Sequence, residues 1–181
     1  TNYRLGEQEI PFGTNLLFRC EELPELALGC EICEDLWVAE PPSTSHALMG
    51  ATVIANLSAS NETVSKDDYR ILLVKSASAR LLCGYIYTSA GEGESTQDLV
   101  FGGHDLIAEN GTLLAQSNRF STGILYGDLD VLKISSERRR MGTFGRRPLK
   151  PYLTVPFSME LTKTKLSRKF APHPFVPEDA A

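Results

Sequence analysis

Short apolar runs broken by polar turns fill the first part of the chain and predict buried strands. Leu28–Ile32 is short and apolar and is followed, after Cys33, by Glu34 and Asp35, so it predicts a strand that leaves the core at Cys33. Ala51–Leu57 is a continuous apolar run, as in a parallel strand that is covered on both faces. The pattern therefore predicts two buried strands separated by a polar break.

Helical spacing appears in two places around these strands. A pair of prolines ending at Pro42 predicts a helix start, with a short helix over Ser43–Met49 that stops at Gly50. A longer helix is predicted over Lys66–Leu82, and Ser65 offers an N-cap for it.

The later part of the chain predicts further strands and one more helix. Asn110 with the glycine after it lies between apolar runs, the strongest short signal for a hairpin. Strands are predicted over Asn15–Cys20, Cys83–Ser89, Leu99–Ala108, Thr112–Ser117, Ile124–Leu129 and Leu153–Leu161, and a helix over Asp130–Arg140. Strands alternate with helices early and pair in hairpins late, so the predicted class is α/β with a mixed sheet.

Composition indicates an ordinary globular protein. The chain has 181 residues, of which 42% are hydrophobic and 23% charged. No apolar run approaches the roughly 20 residues needed to span a bilayer, and no basic-plus-apolar leader is present. We therefore expect a cytoplasmic protein without a membrane segment. Because the chain opens at Thr1 without a methionine, we expect it to be a piece of something longer.

Charge divides the chain and suggests two segments, 1–135 and 136–181. The second segment holds ten basic against four acidic residues, a net +6, so with −5 overall the first carries −11. A basic segment can bind nucleic acid, but its only stacking aromatics near the arginines are Phe144 and Tyr152. We interpret it as a solvated or docking arm, with nucleic acid disfavoured.

The four cysteines do not form a metal or redox motif. Only Cys30 and Cys33 are closely spaced, and three positions apart on one strand they point to opposite faces. No metal site is therefore predicted, and Cys20, Cys30 and Cys83 are interpreted as small buried hydrophobes.

Cys33 is the candidate nucleophile. Ligands gather at the carboxyl ends of strands in open α/β sheets, where a thiol is reachable. Pattern alone leaves a buried structural thiol as the alternative. It also leaves open a papain-like dyad with His46, although a half-buried histidine with one hydrogen bond is the simpler interpretation.

Three motifs resemble those of a known family. They are ICEDLW from Ile32, ANLSAS from Ala55 with K-x-x-Y-R beginning at Lys66, and GESTQDLVF from Gly93. Together they resemble the amidase domain of the glutamine-dependent NAD synthetases, within the nitrilase superfamily. The resemblance is strongest from about Pro11 to Phe120.

The resemblance implies a nitrilase-like α-β-β-α sandwich, of which this chain would be a part, and a cysteine that attacks the side-chain amide of glutamine. It identifies Cys33 as the catalytic residue and Ser60 and Lys66 as glutamine-binding residues. A turn residue at Ser60 and a solvated first-turn side chain at Lys66 are the structural alternatives. The released ammonia would pass to a separate synthetase domain that uses ATP and Mg²⁺, so no cofactor is expected in this chain itself.

The family also uses a glutamate as general base and a lysine as oxyanion donor, in segments upstream of the matched region. Neither motif occurs before Gly29. We therefore expect the chain alone to be inactive and to need a complementary amidase segment or a second copy, because half a sandwich leaves an apolar sheet face uncovered. A non-catalytic scaffold module of the same fold is the alternative. Glu92 and Glu94 are interpreted as loop residues rather than pocket residues.

Overall fold

The computed structural model describes residues 2–145 and 151–170. Its strands are β1 (Asn2–Leu5), β2 (Gln8–Pro11), β3 (Leu16–Cys20), β4 (Ala27–Ile32), β5 (Val53–Ser58), β6 (Gly84–Ser89), β7 (Leu106–Glu109), β8 (Thr112–Gln116) and β9 (Leu153–Phe157). Its helices are α1 (Pro42–Leu48), α2 (Lys66–Leu81) and α3 (Val131–Arg140), with 3-10 turns over Cys33–Trp37 and Glu92–Glu94.

Seven strands form one mixed sheet in the order β8-β7-β6-β5-β4-β3-β9, which confirms the predicted α/β class. The central strands β4, β5 and β6 run parallel to one another, and α1 and α2 connect them as crossovers. The hairpin around Asn110 joins β7 to β8 as predicted. Strands β1 and β2 form a separate hairpin that the pattern did not predict.

The core lies on the face of the sheet that α1 and α2 cover. Ile54, Tyr85 and Ala108 are register partners across β5, β6 and β7, and all three belong to this core. Gly29 of β4 lies under α1, where a Cβ would come within 2.8 Å of the His46 Cβ. This close approach brings the short helix directly onto the strand that ends at Cys33.

The opposite face of the sheet is open around the carboxyl ends of β4 and β5 in the described part of the chain. Ile32 and Leu57 are register partners at the ends of β4 and β5, and they are 68% and 55% exposed. Leu153 of the edge strand is also exposed on this side. The described residues thus form one helix layer and one sheet, which is half of the expected sandwich.

Cys30 corrects the prediction of a buried hydrophobe, because it is exposed on this open face. Alternation along β4 places Leu28, Cys30 and Ile32 away from the helices. Partial burial still raises the pKa of the Cys30 thiol. Cys20 and Cys83 are buried as predicted.

The strand predicted over Ile124–Leu129 does not form. This segment is irregular and lies against the face of the sheet opposite the helices, where Leu129 packs on Gly84 and Gly127 packs on Ile107. Ile124 is 77% exposed. Its apolar residues contact the sheet at isolated points instead of pairing along an edge.

The strand predicted over Leu99–Ala108 is shorter than expected and begins at Leu106. Leu99 is exposed, and Phe101 pairs across a single bridge with Asn61. The preceding residues form a loop over the carboxyl end of the sheet.

Ser65 also departs from expectation, because α2 begins after it as predicted but its hydroxyl makes no capping hydrogen bond.

The described part of the basic segment packs against the rest of the chain. Arg138 in α3 donates hydrogen bonds to the carbonyls of Leu81, Leu82 and Ala47, and so caps the ends of both α2 and α1. Arg168 pairs with the buried Glu109 at 2.8 Å. Strand β9 pairs in parallel with β3 and so belongs to the main sheet.

Some predictions on the basic segment lie outside the described residues. They concern the basic residues at 146, 147 and 150 and the acidic residues at 178 and 179. Within the described residues, no helix is both long and apolar enough to cross a membrane.

Candidate active site

Cys33 lies directly after β4, at the first position of the 3-10 turn Cys33–Trp37, and is half-buried. Its φ angle is +52°, a left-handed conformation that is strained for a residue with a Cβ. The Asp35 carboxylate accepts the N–H of Ile32 at 2.8 Å and braces the turn. A sharp turn of this kind lifts a side chain from the strand end.

The Asn56 side chain holds the backbone of Cys33. Its Oδ1 accepts the Cys33 N–H at 3.2 Å, and its Nδ2 donates to the Cys33 carbonyl at 3.4 Å. Asn56 lies on β5, next to β4, with its side chain on the helix-covered face.

Ser60 lies two residues after β5, so it stands at the same edge of the sheet as Cys33. It is buried, and its Oγ accepts a hydrogen bond from Arg70 Nη2 at 3.3 Å. Arg70 is fully buried in α2 and also contacts Glu62 and His104 at 3.0 Å each. With its acceptor side occupied by Arg70, the Ser60 hydroxyl can donate its proton to a ligand.

His104 is neutral in this arrangement. Its Nδ1 accepts from Arg70 Nη1, which places the ring proton on Nε2. Burial lowers the pKa of His104, and the charge of Arg70 lowers it further. The histidine therefore fixes the arginine that holds Ser60.

Lys66 begins α2 and is half-buried. Its Nζ donates to the Asn61 Oδ1 at 2.6 Å and lies 5.5 Å from the centre of the Trp37 ring. Burial is the main cause that lowers the pKa of Lys66, and the positive charge of Arg70 adds to it, while Glu62 and Cys33 act in the opposite direction. Trp37 ends the turn that begins at Cys33, so the Lys66 ammonium and the Cys33 thiol lie on the same side of this turn, called the site rim below.

His46 does not pair with Cys33, which removes the papain-like dyad. It is buried, with Nε2 at 3.0 Å from the carbonyl of Cys30 and Nδ1 at 3.0 Å from the hydroxyl of Tyr152. A carbonyl only accepts, so Nε2 carries the proton and Nδ1 accepts from Tyr152. Burial lowers the pKa of His46.

Glu92 and Glu94 are exposed in their 3-10 turn, in agreement with the loop interpretation.

The structure thus places Cys33 and Ser60 just after the carboxyl ends of β4 and β5, at the same edge of the sheet, with Lys66 next to Trp37 of the Cys33 turn. Sequence reasoning did not identify Asn56 or Arg70, although both stand inside the quoted motifs. A polar residue in the middle of an apolar buried strand was the available signal for Asn56.

Comparison with known proteins identifies the family. The sequence pattern of the carbon-nitrogen hydrolases matches residues 4–139. The chain belongs to the carbon-nitrogen hydrolase family. It is 45% identical over 186 residues to a glutamine-dependent NAD(+) synthetase of Mycobacterium bovis, and 29% identical over 168 residues to one of Rattus norvegicus. These matches cover 97% and 88% of this chain but only 27% and 22% of those relatives.

Solved structures agree with this assignment. A glutamine-dependent NAD(+) synthetase from Cytophaga hutchinsonii aligns with a TM-score of 0.57 and 29% identity, over 70% of this chain and 19% of that one. A carbon-nitrogen hydrolase from Helicobacter pylori aligns with a TM-score of 0.56 and 20% identity, over 70% of this chain and 50% of that one, and supports the fold. The chain therefore spans about a quarter of the curated relatives it matches and half of a carbon-nitrogen hydrolase of known structure.

Proposed function

We propose that this carbon-nitrogen hydrolase chain supplies the nucleophile and part of the glutamine pocket of a glutamine-dependent NAD synthetase. The observation that carries the proposal is the left-handed Cys33 at a parallel strand end, beside Ser60 and Lys66. The 45% identity to a relative of that name supports it. Segment 1–135 would form the amidase part, and 136–181 would lead toward a synthetase domain.

Glutamine is complementary to the Lys66 ammonium and the Ser60 hydroxyl at the site rim. The Lys66 ammonium would pair with the α-carboxylate, and the free proton of the Ser60 hydroxyl would bind an oxygen of the substrate. Both groups are held by protein partners before substrate arrives, so little reorganisation is needed on binding.

The reaction proceeds in two halves. The Cys33 sulfur forms a bond to the carbonyl carbon of the glutamine side chain, the C–N bond breaks, and the nitrogen leaves with a proton as ammonia. Water then attacks the thioester, which releases glutamate and restores the thiol. The glutamate base and the lysine oxyanion donor implied by the resemblance would come from residues outside this chain.

ATP and Mg²⁺ would serve the synthetase domain and not this chain. Within the described residues, no group of three or more His, Cys, Asp or Glu side chains could hold a metal ion. That domain would use the ammonia to amidate deamido-NAD.

The open sheet face indicates that the chain works in association. Ile32 and Leu57 would be covered by the complementary amidase segment, in keeping with a carbon-nitrogen hydrolase of which this chain spans half. The outward sides of α1 and α2 are a second surface at which copies could pair. We place the assembled protein in the cytoplasm.

A labelling experiment on the full-length protein tests the site. A glutamine-analogue electrophile should modify Cys33, and added glutamine should protect it. Iodoacetamide should likewise modify Cys33 in preference to Cys20, Cys30 and Cys83, because Cys20 and Cys83 are buried and the complementary amidase segment would cover Cys30. Peptide mapping by mass spectrometry distinguishes the four thiols, and Cys33→Ala provides the control.

Failure of glutamine to protect Cys33, together with full glutaminase activity of Cys33→Ala, would reject the catalytic proposal. That outcome would favour the scaffold alternative.

A further inference from the structure

The Asn56 amide contacts both polar backbone groups of the residue proposed as the nucleophile. Asn56 is fully buried in β5, and its side chain forms hydrogen bonds with both the N–H and the carbonyl of Cys33. A side chain that only filled space would need neither contact. The paired contacts instead restrict rotation of the backbone where φ is +52°.

A chain of buried polar groups determines which way this amide points. Asn56 Nδ2 also donates to the Tyr85 hydroxyl oxygen at 3.3 Å, and Tyr85 donates its own proton to the Glu31 carboxylate. Tyr85 has one proton, so its oxygen must accept from Asn56. The nitrogen end of the amide therefore faces Tyr85, and the oxygen end faces the Cys33 N–H.

Glu31 anchors the far end of this chain. It is 2% exposed, and its second oxygen accepts the N–H of Ser43 at the start of α1 at 2.8 Å. Both carboxylate oxygens are thus occupied by donors. Burial, and then the charge of Glu31, raises the pKa of Tyr85, so the phenol keeps its proton throughout the physiological range.

We propose that Asn56 is a positioning residue that holds the Cys33 peptide in its left-handed conformation, and that Glu31 and Tyr85 fix the orientation of the Asn56 amide. The proposal rests on the proposed role of Cys33. Asn56 acts through the backbone of Cys33 and need not touch substrate.

Two measurements on the full-length protein test the proposal. The first is the rate at which a glutamine-analogue electrophile modifies Cys33, with hydrogen exchange over β8, at the far edge of the sheet, as an internal reference. The second is hydrogen exchange at the Cys33 amide, read by mass spectrometry with fragmentation.

Asn56→Ala should slow modification of Cys33 by about ten- to a hundredfold, the loss expected when a reacting group is misplaced by about 1 Å. Exchange at the Cys33 amide should accelerate about tenfold because its acceptor is gone. Exchange over β8 should stay unchanged. Thr52→Val is the matched control, since Thr52 is buried and bonds the backbone near β4 but does not contact Cys33.

Asn56→Asp gives a readout that a purely structural role would not move. The introduced carboxylate, when ionised, retains an acceptor for the Cys33 N–H but turns a second acceptor toward the Cys33 carbonyl and Tyr85. The same carboxyl group, when protonated, can donate there instead. The Cys33 rate of this variant, relative to the parent at the same pH, should therefore recover as the pH falls.

The proposal is overturned if Asn56→Ala leaves both Cys33 measurements within about twofold of the parent, if Thr52→Val shows the same loss, or if exchange over β8 accelerates as much as at Cys33. Should Asn56→Ala fail to fold, Tyr85→Phe decides: Cys33 modification must slow while exchange over β8 stays constant, and an unchanged Cys33 rate overturns the proposal. Absence of glutamine protection in the parent would reject the proposed function instead, because the amide exchange measurement does not depend on glutamine.

Discussion

Cys33 combines a reactive side chain with a backbone conformation that favours glycine. Its φ of +52° brings Cβ close to the following carbonyl, at a cost of about 1–2 kcal/mol for a residue other than glycine. Such strain persists only where surrounding contacts hold it, here those of Asn56 and Asp35.

This strain predicts an ordering in stability of two variants that lack the Cys33 thiol. Cys33→Gly should be more stable than Cys33→Ala by about 1 kcal/mol, because glycine adopts the left-handed conformation without the Cβ conflict. Urea unfolding of both variants measures the difference. An alanine variant as stable as the glycine variant would show that the turn carries no strain.

His46 predicts a dependence of stability on pH. Burial lowers its pKa in the folded state, so between the folded value and about 6.5 the unfolded chain binds more protons. The contribution of neutral His46 to the free energy of unfolding should therefore be complete above about pH 6.5. It should fall as the pH drops toward the folded-state pKa of His46. His104, whose pKa is also lowered, contributes in the same direction.

Urea unfolding between pH 5 and pH 7.5 measures this slope. His46→Gln should lower stability at every pH but flatten the slope, since one of the two titrating groups is removed. A slope unchanged by the substitution would assign the effect to other groups.

At the scale of elements, close contacts hold α1 on β4. A Cβ on Gly29 would come within 2.8 Å and 2.9 Å of His46 Cβ and Cγ, in a helix that is itself fixed by neighbouring contacts. A Cβ on Gly84 would approach Leu129 Cδ1 at 2.7 Å, which is the end of a flexible side chain on an irregular segment.

The two glycines therefore predict different costs. Gly29→Ala should lower the free energy of unfolding by about 2–3 kcal/mol, as overpacking against a fixed neighbour does. Gly84→Ala should cost less, because Leu129 can rotate away. Equal losses in the two variants would contradict this account of the α1 contact.

Arg138 links three elements through its guanidinium. It donates to carbonyls at the ends of α2 and α1 and lies 4.9 Å from the Phe144 ring. Burial lowers the pKa of Arg138 to about 10, so it remains charged at neutral pH.

Arg138→Ala should destabilise the domain by about 2–3 kcal/mol, because several hydrogen bonds to a charged donor are lost together. Arg139→Ala is the matched control, since the adjacent Arg139 is exposed and should cost less than about 0.5 kcal/mol. Thermal or urea unfolding measures the stability of both variants. Similar losses in the two would show that the arginines stabilise the domain through their charge and not through the contacts of Arg138.

At the scale of the whole molecule, the described residues pack one face of the sheet with helices and leave the other face open around the carboxyl ends of β4 and β5. Each large apolar side chain that is fully buried contributes about 1.5–3 kcal/mol, so covering Ile32 and Leu57 would favour association. Leu72 of α2 is also exposed, at 61%, but lies on the helix layer.

This asymmetry predicts which surface associates. Ile32→Glu with Leu57→Glu should weaken binding of a complementary amidase segment, whereas Leu72→Glu should not. Size-exclusion chromatography of the chain with and without that segment measures the effect. A chain that remains a soluble monomer at high concentration would count against an associating face, and a loss with Leu72→Glu would place the contact on the helices.

Much of this architecture was predictable because local pattern decides it. Apolar runs gave β4, β5 and β6, helical spacing gave α2 almost to the residue, and Asn-Gly gave the hairpin. Where apolar residues make isolated contacts, as over Ile124–Leu129, the pattern predicted a strand that does not form.

The motifs of the sequence determined the family and named Cys33, Ser60 and Lys66 as candidates, because short-range order along the chain encodes strand ends and loop chemistry. Only the tertiary structure decided that Asn56 would hydrogen-bond the backbone of Cys33, that Arg70 would donate to Ser60, and that Cys30 would be exposed. These contacts join residues on different elements, and the geometry between elements is set by packing of the whole sheet, which no local pattern contains.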